Sequence, residues 1–270
     1  MPSISERTVI AVVGAIQFVH IMDFMMVAPL GPDFAAALGM ATSDIGLVAG
    51  SYTVAAAVSA LASSFFLDRF DRRFAVATAM LGLGVSTFAA AFAWDMTSLI
   101  GARMLAGFFS GPATAAAMSI IIDTVPAPRR GRAMGAVMGA FSLAAVLGVP
   151  AGLEMSRLGG WQLPFVTVAV LAVTVTAVMW RVLPPMTAHL SADGPSRLPW
   201  GRLFARHDAL VAYGMTAVSM VASFMVIPNI AAFVQFNLGY PREDISLLYL
   251  VGGAVSFFTM RLAGRLSDRG

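Results

Sequence analysis

Two ionisable side chains sit well inside long apolar runs: Asp23 in QFVHIMDFMMV and Arg103 in LIGARMLAGFF. A charge in the middle of an apolar helix costs about 2.5 to 3.5 kcal/mol even on insertion scales, so residues of this kind pair with one another or face a wet cavity. Two chemistries fit an aspartate and an arginine in that setting. One is a carboxyl that takes up and gives back a proton under the influence of its cationic neighbour. The other is a static, mutually neutralising ion pair. Asp23 does not stand alone, because Gln17, His20, Asp23 and Met26 recur every three residues and trace one slowly drifting helix face. Such a stripe is expected to line a cavity, since lipid would leave its polar groups without partners. His20, one turn from Asp23, could share its proton or fix its rotamer.

Other chemistries find little footing. The chain has no cysteine, and its three histidines, His20, His189 and His207, are too scattered to suggest a metal cluster. No nucleophile and base stand together, so neither an enzyme nor a cofactor is expected. A pI near 9.9 invites a nucleic-acid reading. All 17 basic residues are arginines, however, and apart from Arg103 they sit mostly at the ends of apolar runs and not along a polar face. Nucleic acid is therefore discarded as a partner.

The elements that position these residues follow from composition. With 59% hydrophobic and 11% charged residues, the chain is far from a soluble domain, which carries about 25% charged residues. About 20 apolar residues cross the hydrocarbon core of a bilayer, and eight such stretches are present: 9–30, 45–67, 74–94, 99–122, 132–155, 163–183, 209–236 and 245–266. Arginines cluster on every second boundary, at Arg7, at Arg69 to Arg73, at Arg129 to Arg132, at Arg181 to Arg206, and at Arg265 and Arg269. Short cytoplasmic loops carry such an excess. The expected topology is an N-terminus inside, a six-helix unit over 1–183, a cytoplasmic linker over 184–206, and two further helices over 207–270. In that arrangement Asp23 and Arg103 lie on antiparallel helices within about one turn, ~5 Å, of the same depth. They could then face each other.

The chain also repeats itself. At an offset of 200 positions Gly14 pairs with Gly214, Phe24 with Phe224, Asp44 with Asp244, and Asp68 and Arg69 with Asp268 and Arg269. Repeated halves are common in secondary transporters. The loop SFFLDRFDRR, Ser64 to Arg73, resembles the Gly-x-x-x-Asp-Arg-x-Gly-Arg-Arg loop between spans two and three of the major facilitator superfamily, with Asp68, Arg69, Arg72 and Arg73 matching and Ser64 and Asp71 replacing the two glycines. Gly264, Asp268 and Arg269 resemble the family's second copy. Arg103 with Gly107 is similar to its Arg-x-x-x-Gly motif, and span one is similar to its first-span motif. Gly148, Pro150 and Gly152 resemble the antiporter motif of fifth spans.

The resemblance, to the drug:proton antiporter and sugar-efflux-like branch, implies an all-α membrane protein: a complete N-terminal six-helix bundle and the first two helices of a second. It implies that Asp23 carries protons and Arg103 modulates it, with His20 of second rank. The loop would latch helix ends, and the loss of its two glycines puts the tightness of that turn in question. Tyr52 is a cavity residue on resemblance, while Asn229 and Gln235 are substrate contacts suggested by their place in span seven. Gly131, Gly135 and Gly139, spaced by four, are expected to bring helix backbones together.

The expected function is proton-coupled export of a small, apolar or weakly polar molecule from a bacterial cytoplasmic membrane. The competing expectation is a transport-inactive interaction protein derived from a transporter. Four spans of the family's twelve are not in this sequence, so a homodimer or a separately supplied C-terminal segment is the expected partner.

Overall fold

The computed structural model describes residues 5–187, 190, 207–241 and 244–267. It contains ten α-helices among those residues: α1 (Glu6–Met25), α2 (Val27–Leu38), α3 (Ile45–Ser63), α4 (Arg72–Ala90), α5 (Met96–Thr124), α6 (Ala127–Leu143), α7 (Val149–Gly159), α8 (Gln162–Val182), α9 (His207–Phe236) and α10 (Ile245–Ser267). Among the described residues, six segments are long and apolar enough to cross a membrane: α1, α3 with its leading turn, α4, α5, α6 through α7, and α8. α9 and α10 occupy the places expected for spans seven and eight, while most of the linker and Asp268 and Arg269 lie outside the described residues.

Local chemistry sets the helix ends. Ser5 caps α1 by accepting from the Thr8 amide, and Asp95 and Ser98 form a reciprocal capping box that starts α5. Gly39, at φ 65°, ends α2 in a left-handed turn that a side chain would strain. The first span departs from expectation. Its helix is interrupted at Met26 and then carries on as α2, with Pro29 and Pro32 in its sequence, to Leu38.

The fifth span is also two helices in series, joined by a π-helical segment, Ala144–Gly148. Pro150 supplies no amide to the carbonyl four residues back, that of Val146, and the widened turn contains that carbonyl.

α5 is the spine of the bundle, flanked by α3 and α4, with α8 against α4 and α1 against α5, α6 and α8. α9 packs on α2 and α3, and α10 packs on the π segment, α7 and α6. Within hydrocarbon, close backbone approach and van der Waals contact drive such packing. The glycines that provide it are not the expected ones. A Cβ added at Gly131, Gly135, Gly139 or Gly152 would meet nothing within 4 Å. Gly107 and Gly111 of α5 instead lie against the backbone of α3 at Tyr52 and Ala56, and a Cβ at Gly253 of α10 would fall 2.7 Å from Val146. Spacing by four shows that a small stripe exists, but not that a neighbour lies against it.

Candidate functional site

Asp23 and Arg103 meet directly. Arg103 Nη1 donates to both carboxylate oxygens of Asp23, at 2.9 and 3.1 Å, and Nη2 donates to the Asp23 backbone carbonyl at 3.2 Å. Thr87, from α4, adds a third side chain by donating its hydroxyl to Asp23 Oδ1 at 2.8 Å. Neither charged group reaches solvent, with Asp23 at 0% and Arg103 at 1% exposure. The guanidinium lies 4.4 Å from the centre of the Tyr52 ring, a cation–π contact. Gly107 makes that contact geometrically available, because without a side chain it lets the Tyr52 backbone settle on α5 one turn beyond Arg103. The Arg-x-x-x-Gly spacing therefore has a physical meaning here: the arginine reaches the carboxylate and the glycine seats its aromatic lid.

The stripe on α1 is only partly what its period suggests. Gln17, Asp23 and Met26 are buried inside the bundle, and only His20 of the four is partly exposed. His20 hydrogen-bonds Ser110 through Nε2, with Thr114 Oγ1 at 3.4 Å from the same nitrogen. The open face of α1 is the neighbouring apolar one. Ile10, Gly14 and Phe18 line a cavity of about 730 Å³ with Gly139, Ala254 and Phe258. Gly139 is thus a wall of that cavity and not a packing contact. Among the others, Gly148 lies near Met22, with a Cβ there 3.3 Å from its Cγ, and Pro150 starts α7.

The side chain of Asn229 lies outside what is described, and Gln235 is partly buried on α9 with no hydrogen bond to the Asp23 cluster. Thr87, Ser110 and Asp123 join these groups without a distinguishing signal in the sequence. Intramembrane hydroxyls are too common to mark a site, and Asp123 sits just past the apolar run that ends at Ile122.

The Ser64 to Arg73 loop holds a second group of charges. Arg72 lies 2.7 Å from Asp68 and 3.2 Å from Asp123 at the end of α5. Arg73 donates to the Trp180 carbonyl and lies 4.0 Å over its ring, while Arg69 is exposed. The residues that replace the two glycines are accommodated. Ser64 has φ −59° and is in the ordinary helical region, so nothing there requires glycine. Asp71 caps α4 by accepting from the Arg73 amide at 2.8 Å, and the same oxygen accepts from the Met186 amide at 3.1 Å. Asp71 therefore ties the segment after α8 to the start of α4. Gly264 lies within α10, and its partners Asp268 and Arg269 fall outside the described residues.

Apolar helices around a buried, hydrogen-bonded ion pair define a multi-pass integral membrane protein whose charged centre is shielded from lipid. The sequence matches the Major Facilitator Superfamily over residues 13–270, and the chain belongs to that family. It is accordingly a member of a transporter family and not an enzyme. A chloramphenicol resistance protein of Streptomyces lividans is 27% identical over 246 residues, which are 90% of this chain and 62% of that protein. This chain thus spans less than two thirds of that relative's length. Two solved structures share the fold. One is a bacterial homologue of the human lysosomal transporter Spinster in an inward-facing, occupied conformation, with a TM-score of 0.76 at 18% identity over 99% of this chain and 62% of that one. The other is a D-xylose–proton symporter, with a TM-score of 0.72 at 16% identity over 98% of this chain and 69% of that one.

Proposed function

We propose that this chain carries the proton-coupling half of an efflux transporter that works by alternating access. The observation that carries the reading is the carboxylate of Asp23, enclosed by Arg103 and Thr87 where no water reaches it. An ion pair without solvent responds strongly to any change in its partner's position, so a movement of α5 or α4 converts into gain or loss of a proton. Asp23 is the proton carrier, Arg103 its modulator, and His20 a secondary group held by Ser110. Protons loaded from outside free the substrate, and release inward accompanies closure of the loop contacts at Asp68, Arg72 and Asp123.

The proposed topology has eight spans with the N-terminus cytoplasmic, as the arginine distribution favours. Residues 1–183 form one bundle, 184–206 the linker, and 207–270 the beginning of a second. The relative named for chloramphenicol resistance supports a neutral, weakly polar substrate, and the apolar walls beside α1 agree with one.

The test is Asp23→Asn in cells making the protein from its own gene, with export of a fluorescent amphiphile driven by an imposed proton gradient. Export should vanish while the protein still inserts and stays folded. Unimpaired gradient-driven export of that probe would overturn the assignment. So would a pH-independent substrate affinity, the outcome expected of a transport-inactive interaction protein.

A further inference from the structure

At the arginine-rich end of the bundle, α4 and α8 leave an apolar groove of about 430 Å³ between their outer faces. Phe74, Ala77 and Leu81 form one wall and Val173, Ala177 and Trp180 the other, with Arg181 at the rim. The groove follows roughly two turns of each helix, about 10 Å. The same face continues as exposed apolar side chains, Val85 and Phe88 on α4 and Val170 and Val178 on α8, as a lipid-facing surface does.

Charge distinguishes this groove from a plain lipid-facing surface. Arg72, Arg103, Arg129 and Arg157 all have carboxylates within ion-pair distance. Among the described residues, Arg7, Arg69, Arg73, Arg130, Arg132 and Arg181 have none, and of these Arg73 and Arg181 stand beside the groove, Arg181 in its lining and Arg73 on the Trp180 ring. Arg73 lies over the Trp180 ring, and its Nε is buried without a hydrogen-bond partner. Two unneutralised guanidinium groups thus stand at the mouth of an apolar channel, beside a tryptophan of the kind that anchors at headgroup depth. A helix of another protein would fill the apolar part but has no intrinsic reason to carry an anion at its end. A phospholipid carries both parts in one molecule.

We propose that the α4–α8 groove binds one anionic phospholipid, with an acyl chain along Ala77 and Ala177 and its phosphate on Arg73 and Arg181. Guanidinium groups suit a phosphate diester because their planar donors pair with two oxygens at once. This site is separate from the Asp23 centre and does not depend on proton coupling.

The test is native mass spectrometry of the delipidated protein, titrated with phosphatidylglycerol or with phosphatidylethanolamine of the same acyl chains. Phosphatidylglycerol should be retained about fivefold more per arginine engaged. Arg181→Gln, an exposed substitution, should remove most of that preference, and Ala177→Phe, which fills the groove, should reduce retention of both lipids. Equal retention of the two lipids by the wild-type protein overturns the proposal. It is equally overturned if either variant, folded by thermal unfolding, binds phosphatidylglycerol like the wild type.

Discussion

Arg103 and Arg72 each hold carboxylates, but in opposite settings. In the Asp23–Arg103 pair both side chains are sealed, at 0% and 1% exposure. In the loop, Arg72 is itself largely buried at 8%, yet its partners Asp68 and Asp123 are 56% and 35% exposed. The residue types are the same, so the difference lies in what replaces a lost partner. Water can hydrate Asp68 or Asp123 if the loop opens, and nothing can hydrate Asp23 without rearranging the bundle. A centre that reports on conformation by protonation needs the sealed arrangement of Asp23, and a contact that opens and closes needs the hydratable one of the loop.

Removing one member of the sealed pair should have the largest effect on stability. Arg103→Leu leaves the Asp23 charge buried alone and should cost about 3 to 5 kcal/mol, read as a large fall in the thermal unfolding temperature of the detergent-purified protein. Arg72→Leu, whose partners reach water, should cost clearly less. The paired change Asp23→Asn with Arg103→Gln should recover most of the stability lost in Arg103→Leu without restoring coupled export. Equal losses for the two arginine variants would remove the distinction.

The next largest effect separates real from apparent glycine contacts. Gly107→Ala places a Cβ on the Tyr52 backbone and must push α3 from α5, an overpacking of about 1 to 3 kcal/mol. Gly139→Ala enters open space and should be neutral or slightly stabilising, since alanine gains up to about 1 kcal/mol over glycine in a helix. Melting temperatures of the two variants, measured side by side, decide this.

These contrasts also mark what was legible in the sequence. The all-α membrane class and the meeting of Asp23 with Arg103 follow from apolar length and depth, quantities that a one-dimensional pattern carries, whereas the break of the first span at Met26 and its continuation to Leu38 do not. Which face of α1 opens to a cavity does not follow, because Gln17, His20, Asp23 and Met26 differ from Ile10, Gly14 and Phe18 by a rotation that only neighbouring helices define. The glycines of α6 misled for the same reason. Asp71 was legible only as a departure from a motif, because its second bond, to Met186, spans 115 positions.

Asp71 supplies the third test. Asp71→Gly restores the glycine of the family's loop but removes the cap of α4 and the tie to Met186, costing about 1 kcal/mol for the cap alone. Asp71→Asn keeps an acceptor oxygen and should retain most of that stability. Faster protease cleavage after α8 in the glycine variant, and not in the asparagine variant, would establish the tie. Equal cleavage in both would refute it.

The smallest effect lies at the fully exposed end of the scale, where a carboxylate has only local partners. Asp95 accepts from the Ser98 amide at 2.8 Å in the capping box of α5. The Ser98 hydroxyl and amide hold its carboxyl below the usual value of 3.8. A carboxyl lowered on folding binds its proton less readily in the folded chain, so the cap's contribution is complete above the ordinary value and fades as pH falls through the lowered one. Asp95→Asn should therefore lower the unfolding temperature slightly at pH 7, and the difference should shrink as the pH falls through the lowered value and the wild-type carboxyl takes up its proton. A wild-type and variant pair whose small difference is constant from pH 7 to pH 2 would show that the charge of Asp95 contributes nothing beyond its hydrogen bonds. The graded dependence of ion pairs on burial would then start at the loop and not at the surface.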